Sequence, residues 1–126
     1  MKLRILGNSI RLRLSKPEVA KLHETGRVEE SLSLSPTDPW DRLSYAIEHT
    51  EQVTKFEVSH IGDEIRVLIP SHEVRKWADG ELVGMYGAFP VYGDQLLTIT
   101  VEKDFACLDK SDADNADMFP NPNLTC

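Results

Sequence analysis

LGNSIRLRLSKPEVAKLHETGRV, residues 6–28, lies without a gap over IGDEIRVLIPSHEVRKWADGELV, residues 61–83, when the chain is shifted by 55 positions. The seven identical pairs are Gly7/Gly62, Ile10/Ile65, Arg11/Arg66, Glu18/Glu73, Val19/Val74, Lys21/Lys76 and Val28/Val83. A repeat of this kind constrains the whole fold, because both copies must build the same local structure. We interpret the match as an internal duplication.

Each copy contains the signals of a hairpin followed by a helix. Two runs of alternating apolar and polar residues flank Gly7-Asn8, which is typical of a two-residue hairpin turn. Ser15-x-x-Glu18 predicts a capping box at the start of the helix, and Gly26 predicts its left-handed end. Alternation then returns in two further runs, and the second copy repeats the same series.

The predicted fold class is α+β, with a ββαββ unit used twice to give eight mostly antiparallel strands and two short helices. We expect a single domain over residues 1–126, with repeat 1 over about 1–50, repeat 2 over about 54–104 and an irregular acidic tail over 105–126. One face of each strand is apolar, so the strands form either a closed or nearly closed barrel or two packed sheets. Trp77 is expected in the core and Trp40 as the anchor of its loop.

Composition and charge exclude several classes of protein. The net charge of −7 disfavours general nucleic-acid binding, because neutralising phosphates needs a basic surface. No apolar run is long enough to cross a bilayer and no export signal is visible, so we expect no membrane partner and a cytoplasmic location. Cys107 and Cys126 do not make a disulfide framework, and one bridge or two free thiols both fit the sequence.

The first hairpin carries a concentration of positive charge. A two-residue turn places Arg4 opposite Arg11 and Lys2 opposite Arg13, with all four side chains on the same face. Like charges directly opposite each other in a ladder are destabilising. This face therefore needs a neutralising partner.

Two explanations for that partner follow from the sequence. Carboxylates from neighbouring strands or the acidic tail could neutralise the face, and Glu102, Asp104 and Glu30 are the candidates. The face could instead bind a ligand that bears phosphate or carboxylate, since guanidinium groups make bidentate contacts to both. Arg66, which repeats Arg11, joins the four cations as a candidate anion-binding residue.

Signals for a metal, a cofactor or a catalytic centre are weak. Asp112-x-Asp114-x-x-Asp117 begins like a calcium loop but lacks the central glycine and the closing glutamate. Neither a C-x-x-C or H-x-x-x-H zinc pair nor a G-x-S-x-G nucleophile motif is present. We predict no catalytic residue, no metal site and no cofactor, with Glu102 and Asp104 as the weak metal candidates.

Nearly the whole chain resembles a small uncharacterised bacterial family, a domain of unknown function. The resemblance rests on the opening MKLRILGNSIRLRLSKPEV, residues 1–19, and on the tail stretches VEKDFACLDK, residues 101–110, and FPNP, residues 119–122. It implies no particular activity.

The duplicated architecture is also similar to the CYTH-type fold, whose enzymes hold a triphosphate and a divalent metal in an eight-stranded tunnel. That similarity implies a phosphohydrolase in which Arg4, Arg11, Arg13 and Arg66 clamp phosphate while Glu102 or Asp104 holds the metal. The E-x-E-x-K motif of those enzymes is absent, and the first strand reads Lys2-x-Arg4 instead. A shared fold does not by itself imply a shared function.

The sequence favours a non-enzymatic binding or interaction module with an anion-attracting strand face. The expected partner is a small anionic ligand or an acidic protein surface. The alternatives are a CYTH-like phosphohydrolase and a structural protein that forms oligomers by pairing its edge strands.

Overall fold

The computed structural model describes residues 1–105 and 116–120. Within them the predicted ββαββ unit occurs twice, with residues 51–56 connecting the two copies. The first copy comprises β1 (Lys2–Leu6), β2 (Ser9–Leu14), α1 (Lys16–Thr25), β3 (Arg27–Ser33) and β4 (Arg42–Thr50). The second comprises β5 (Glu57–Ile61), β6 (Glu64–Pro70), α2 (Ser71–Asp79), β7 (Gly84–Pro90) and β8 (Leu96–Lys103).

The strands form two four-stranded sheets, each of which takes one hairpin from each copy. Sheet A has the order β1-β2-β8-β7, and sheet B has the order β3-β4-β6-β5. The hairpins are antiparallel, whereas the two central pairs, β2 with β8 and β4 with β6, are parallel. Replacing each strand of sheet A by its counterpart from the other copy gives sheet B in reverse order. The duplication therefore relates one sheet to the other.

This topology decides between the two predicted arrangements. Within the described residues β1 and β7 are the edges of sheet A, and β3 and β5 are the edges of sheet B. The eight strands are thus two sheets and not a closed barrel. The expected α+β class with mostly antiparallel strands is confirmed.

The β1–β2 and β5–β6 hairpin turns each make a hydrogen bond to a strand of the other copy. Gly7 and Gly62 adopt positive φ angles of 55° and 60°, a region that glycine enters without a steric penalty. The carbonyl of Asn8 then accepts a hydrogen bond from the Thr98 N–H at 3.2 Å, and that of Asp63 accepts one from the Ser44 N–H at 2.8 Å. Equivalent turns therefore make equivalent contacts in the two sheets.

Helix α1 has the predicted ends. The backbone N–H of Ser15 donates to Glu18 Oε1 at 3.0 Å, and the Ser15 hydroxyl donates to the same oxygen at 3.1 Å. Gly26 is left-handed with φ of 86°, and its N–H donates to the Leu22 carbonyl at 3.0 Å. Helix α2 instead begins directly after Pro70, and no side chain of the described residues caps it.

The inward faces of both sheets and both helices supply one contiguous apolar core. Its buried members are Ile10, Leu12, Leu14, Val19, Leu22, Val28, Ile47, Phe56, Val67, Ile69, Val74, Trp77, Met85, Ile99 and Val101. A Cβ added to Gly87 would lie 2.5 Å from Phe56 Cγ, so the missing side chain makes room for that ring. Trp77 is in the core as expected, but the prediction for Trp40 is wrong, because Trp40 is 73% exposed and its ring lies against the guanidinium group of Arg42.

Lys103 is a charged residue whose side chain unexpectedly lies in the interior. Its register partner on β2 is the buried Leu14, and its Nζ donates to the Gly80 carbonyl at 2.9 Å. The ammonium also lies 5.9 Å from the ring centroid of Trp77 and 5.3 Å from that of Phe119. Burial lowers the pKa of Lys103 from its ordinary value, because it disfavours the charged form.

Residues 116–120 pack back onto the domain. The carbonyl of Asp117 accepts a hydrogen bond from the Lys16 N–H at 2.9 Å, and the Phe119 N–H donates to the Asp104 carbonyl at 2.9 Å. Phe105 and Phe119 meet edge to face, with ring centroids 6.1 Å apart. The predictions for Cys107, Asp112, Asp114 and Cys126 concern residues outside the described part. In the part that is described, no helix has both the length and the apolar character that a membrane span requires.

Candidate anion-binding face

The four cations of the first hairpin lie together on the outward face of sheet A. Arg4 pairs with Arg11 and Lys2 pairs with Arg13, in the register that the two-residue turn predicts. The apolar neighbours on the same strands, such as Leu12, turn inward to the core. We call Lys2, Arg4, Arg11 and Arg13 the basic face.

Two carboxylates partly neutralise the basic face. Lys2 Nζ lies 2.8 Å from Asp104 Oδ2. Glu102 Oε1 lies near two of the arginines, 3.2 Å from Arg11 Nε and 3.6 Å from Arg13 Nε. The predicted neutralisation by Glu102 and Asp104 is therefore observed, whereas the third candidate, Glu30, lies beside the Met1 nitrogen at 3.4 Å.

Arg4 is the cation that these carboxylates do not reach. Within residues 1–105 and 116–120, no carboxylate oxygen lies within 4.0 Å of its guanidinium group. Arg4 and Arg11 border a groove of about 220 Å³ in the same face. The rest of its lining comprises the hydroxyl-bearing residues Ser9, Thr98 and Thr100 together with Leu6 and Ile10.

The groove hydroxyls were not among the predicted site residues. Ser9 pairs with Thr98 and Arg11 pairs with Thr100 through the parallel contact between β2 and β8. That contact joins strands from different copies, far apart in the sequence, so the local alternation pattern carries no signal for it. The groove thus combines guanidinium groups from a predictable hairpin with hydroxyls from a pairing that only the fold shows.

Glu102 is in an unusual electrostatic position. Its side chain is 18% exposed, and Oε1 is buried without a hydrogen bond in the described part of the chain, although two guanidinium groups are near it. The neighbouring residue across the ladder on β7 is Gly84. A Cβ on Gly84 would lie 2.9 Å from Tyr86 Oη and 3.2 Å from Glu102 Cγ, so the glycine leaves this space to Tyr86 and Glu102.

The corresponding face of sheet B is a closed ion-pair network. Arg27 donates to Glu48 at 2.5 Å and to Glu29 at 2.7 Å, and it also pairs with Glu64. Arg66 donates to Glu64 Oε2 through Nη2 at 2.8 Å. Burial of Glu64 favours its neutral form, but the hydrogen bonds from Arg66 and Arg27 outweigh it, so the pKa of Glu64 is below its ordinary value.

Arg66 therefore lies apart from the other predicted anion-binding residues. It lies on β6 of sheet B, where Glu64 and Glu48 neutralise it, whereas Arg4 and Arg11 are on sheet A. The repeat places Arg66 at the position equivalent to Arg11, and equivalent positions fall on different sheets. Of the five candidates, the structure brings together the four of the first hairpin.

The weak metal candidates are both engaged with cations. Glu102 contacts Arg11 and Arg13, and Asp104 contacts Lys2. Across residues 1–105 and 116–120, no group of three or more His, Cys, Asp or Glu residues could hold a metal ion.

Comparison with known proteins identifies the family but no characterised relative. Residues 1–123 match the model of DUF7009, a family of unknown function. No curated protein and no solved structure matches the chain. The expected resemblance to an uncharacterised family is confirmed, while the architectural similarity to the CYTH-type fold stays a prediction.

Proposed function

We propose that this chain, which belongs to the DUF7009 family of unknown function, is a binding module for a small anion. The site is the groove in sheet A. Arg4 and Arg11 supply the charge, and the hydroxyls of Ser9, Thr98 and Thr100 supply further hydrogen bonds. The ligand class is a phosphate- or carboxylate-bearing small molecule, since both anions accept paired hydrogen bonds from guanidinium groups.

The observation that carries the proposal is the charge balance around Arg4. Arg4 is directly opposite Arg11 across the ladder, and the carboxylates of the described residues neutralise Lys2, Arg11 and Arg13 but not Arg4. Like charges across a ladder cost about 0.2–1 kcal/mol. An anion bound between Arg4 and Arg11 would reverse that cost.

The size of the groove limits the ligand. Its volume of about 220 Å³ is below the roughly 300–1,000 Å³ of sites that enclose drug-sized molecules. We therefore expect either a small anion or the acidic end of a larger one.

Thermal unfolding in the presence of inorganic phosphate tests the proposal. We expect phosphate to raise the melting temperature, because a ligand that binds only the folded state stabilises it, by about 2.7 kcal/mol at a hundredfold excess over Kd. The double variant Arg4→Ala, Arg11→Ala should lose this response. Phosphate also stabilises proteins without a site, by exclusion from their surface, and the double variant measures that contribution.

Arg75→Ala is the matched control. Arg75 is an arginine of helix α2, away from the groove, and its side chain is half exposed with one loose contact to Glu51 at 3.9 Å. This variant should keep the full response to phosphate. The proposal is wrong if phosphate, acetate, citrate and nucleoside phosphates all leave the melting temperature unchanged, or shift it equally in the double variant.

Phosphoryl-transfer chemistry is the second candidate function, and the geometry supports it less. A metal-dependent triphosphatase needs carboxylates free to hold the metal. Glu102 and Asp104 are instead paired with cations of the basic face. Release of phosphate from a triphosphate in the presence of Mg²⁺ or Mn²⁺, lost in Glu102→Ala, would favour the enzyme over the binding module.

Self-association through a sheet edge is the third candidate. In β3, an edge strand of the described part, residues 29–33 are all exposed, including Leu32 at 53%. Exposed edges of this kind are templates for pairing with another chain. A molar mass by light scattering that rises with protein concentration, and that falls back to the monomer in Leu32→Lys, would support this candidate.

A further inference from the structure

The edge of sheet A at β7 carries no charge. The strand reads GMYGAFP, residues 84–90, whereas the other edge strands of the described part, β1, β3 and β5, each contain at least one charged side chain. Charged side chains on an edge strand discourage another strand from pairing with it. Of the four edges that the described residues form, β7 is therefore the one without this protection.

The hydrogen-bonding groups on the open side of β7 follow from its ladder with β8. The Lys103 N–H donates to the Val83 carbonyl at 3.0 Å, and the Val91 N–H donates to the Gln95 carbonyl at 3.1 Å. Hydrogen-bonded and non-hydrogen-bonded pairs alternate along an antiparallel ladder, and the register is continuous over residues 84–90. The residues that direct their backbone groups to the open edge are therefore Gly84, Tyr86, Ala88 and, with a C=O alone, Pro90.

The open edge of β7 is complementary to itself. Among the backbone hydrogen bonds of residues 1–105 and 116–120, none reaches the edge-facing groups of Gly84, Tyr86 or Ala88. A twofold axis at Tyr86 would place the two Tyr86 residues opposite each other and Gly84 opposite Ala88 of the second copy. Each of these pairs can exchange two hydrogen bonds. Because β7 has no charged residue, the symmetry brings no like charges on the strand together.

The same register covers exposed apolar side chains. Leu82, Val83 and Tyr86 are 45%, 41% and 66% exposed, and Leu82 and Tyr86 border a groove of about 180 Å³ beside the edge. Continued beyond the strand, the register sets Leu82 opposite Pro90 and Val83 opposite Phe89 of the second copy. Apolar side chains would thus meet apolar side chains, and removing them from water favours association.

We infer that β7 pairs with β7 of a second copy, antiparallel about Tyr86, and joins two A sheets into one sheet of eight strands. An interface of this kind uses the same surface on both copies and closes at the dimer. Directly opposite residues share a face of a sheet, so the basic faces of the two copies lie on the same side. The pairing uses an edge other than β3 and needs no anion in the groove.

Light scattering coupled to size-exclusion chromatography tests for the dimer. The molar mass of the wild type should approach twice that of the chain as its concentration rises. Ala88→Pro should remain a monomer, because it removes an N–H that bonds to the second copy and none that bonds to β8. Proline is tolerated on edge strands where the N–H faces outward, and circular dichroism checks that the variant is folded.

A charge exchange at Tyr86 tests the register. Tyr86→Lys and Tyr86→Glu each place like charges opposite each other at the twofold axis, so each variant alone should dimerise several-fold more weakly than the wild type. An equimolar mixture of the two should form a mixed dimer, since opposite charges then face each other. Leu32→Lys, which adds the same charge to the β3 edge of sheet B, is the matched control and should dimerise like the wild type.

The contrary outcomes are distinct. A wild type that stays monomeric at every concentration overturns the pairing, even if its edge accepts another protein. A dimer that Tyr86→Lys leaves intact, or that Leu32→Lys dissociates, also overturns it, because the contact then lies elsewhere. The phosphate response of the monomeric variants is measured separately. Its persistence shows that anion binding does not depend on the dimer, so either proposal can fail without the other.

Discussion

The outward faces of the two sheets occupy equivalent places in the duplicated fold, yet their charges are arranged differently. Arg11 with Glu102 in sheet A corresponds to Arg66 with Glu48 in sheet B, at Nε–Oε1 distances of 3.2 and 3.8 Å. In sheet B every arginine of this face has a carboxylate partner. In sheet A the surplus cation Arg4 lines a groove.

The difference comes from a few positions at which the copies diverged. Arg4 of sheet A corresponds to Ser59 of sheet B, and Arg13 corresponds to Leu68. Gly84 occupies the place that Arg27 holds in sheet B. The two sheets are therefore similar scaffolds, and the candidate site lies in sheet A, whose strands carry Arg4, Arg13 and Gly84 at these positions.

The largest expected effect on stability comes from substituting a glycine of β7. The equivalent strand of sheet B, β3, contains no glycine. Gly87→Ala should lower the free energy of unfolding by about 3 kcal/mol, the upper end of the range for an overpacked core. The new Cβ would lie 2.5 Å from Cγ and 2.8 Å from Cβ of the buried Phe56, atoms that cannot move without the ring. Denaturant titration measures the loss.

Gly84→Ala on the same strand is the control for that variant. Its Cβ would lie 2.9 Å from Oη of the exposed Tyr86, which can rotate away, and 3.2 Å from Glu102 Cγ, which need move only slightly, so the loss should be well under that of Gly87→Ala. Equal losses in the two variants would show that the loss in Gly87→Ala does not come from the contact with Phe56.

The next largest effect on stability is expected from the ion-pair network of sheet B. Glu64→Gln keeps the shape of the side chain but removes the charge that pairs with Arg27 and Arg66, and should cost about 1.5 kcal/mol at neutral pH. The pKa of Glu64 is lowered in the folded state, so its contribution is complete above the ordinary value of 4.5 and is lost as the pH falls below it.

Denaturant titrations between pH 3 and pH 7 check both parts of this prediction. The difference in stability between the wild type and Glu64→Gln should shrink as the pH falls through the lowered pKa. A difference that stays constant over this range would mean that Glu64 contributes by its shape and not by its charge.

The smallest expected effect is an increase in stability. Arg4→Ser copies the residue of sheet B and removes the repulsion between Arg4 and Arg11, so it should raise the free energy of unfolding by about 0.2–1 kcal/mol in the absence of anions. The same variant should lose the response to phosphate. A decrease in stability would mean that Arg4 is neutralised in the folded protein, and Lys55→Ser, outside the strands, serves as the control for removing a surface cation.

Local structure was predictable from the sequence, because it depends on neighbouring residues. Gly7-Asn8 predicted the turn, the register of β1 with β2 and hence the four cations on one face. Ser15 and Gly26 predicted both ends of α1. In each case a side chain or a φ angle within a few residues specifies the conformation.

The pairing between the two copies was not predictable in this way. Alternation shows which face of β8 is apolar but not that β8 lies beside β2, so Thr98 and Thr100 could not be placed in the groove. For the same reason Arg66 was grouped with Arg11. Lys103 is buried because it follows the alternation of its strand inward, where Gly80 and two aromatic rings accept the ammonium. These outcomes depend on contacts between distant segments.

Because each sheet combines one hairpin from each copy, the order of synthesis limits when a sheet can form. The centre of sheet A joins Ser9 to Thr98 and Leu14 to Lys103, so it cannot form on the ribosome until residues 96–103 have left the exit tunnel. Until then the edge of β2 is open, and the charged side chains of Arg11 and Arg13 on that strand discourage its pairing with other nascent chains. Such distant contacts are associated with slow folding, and the cations of the candidate site would protect the chain during that interval.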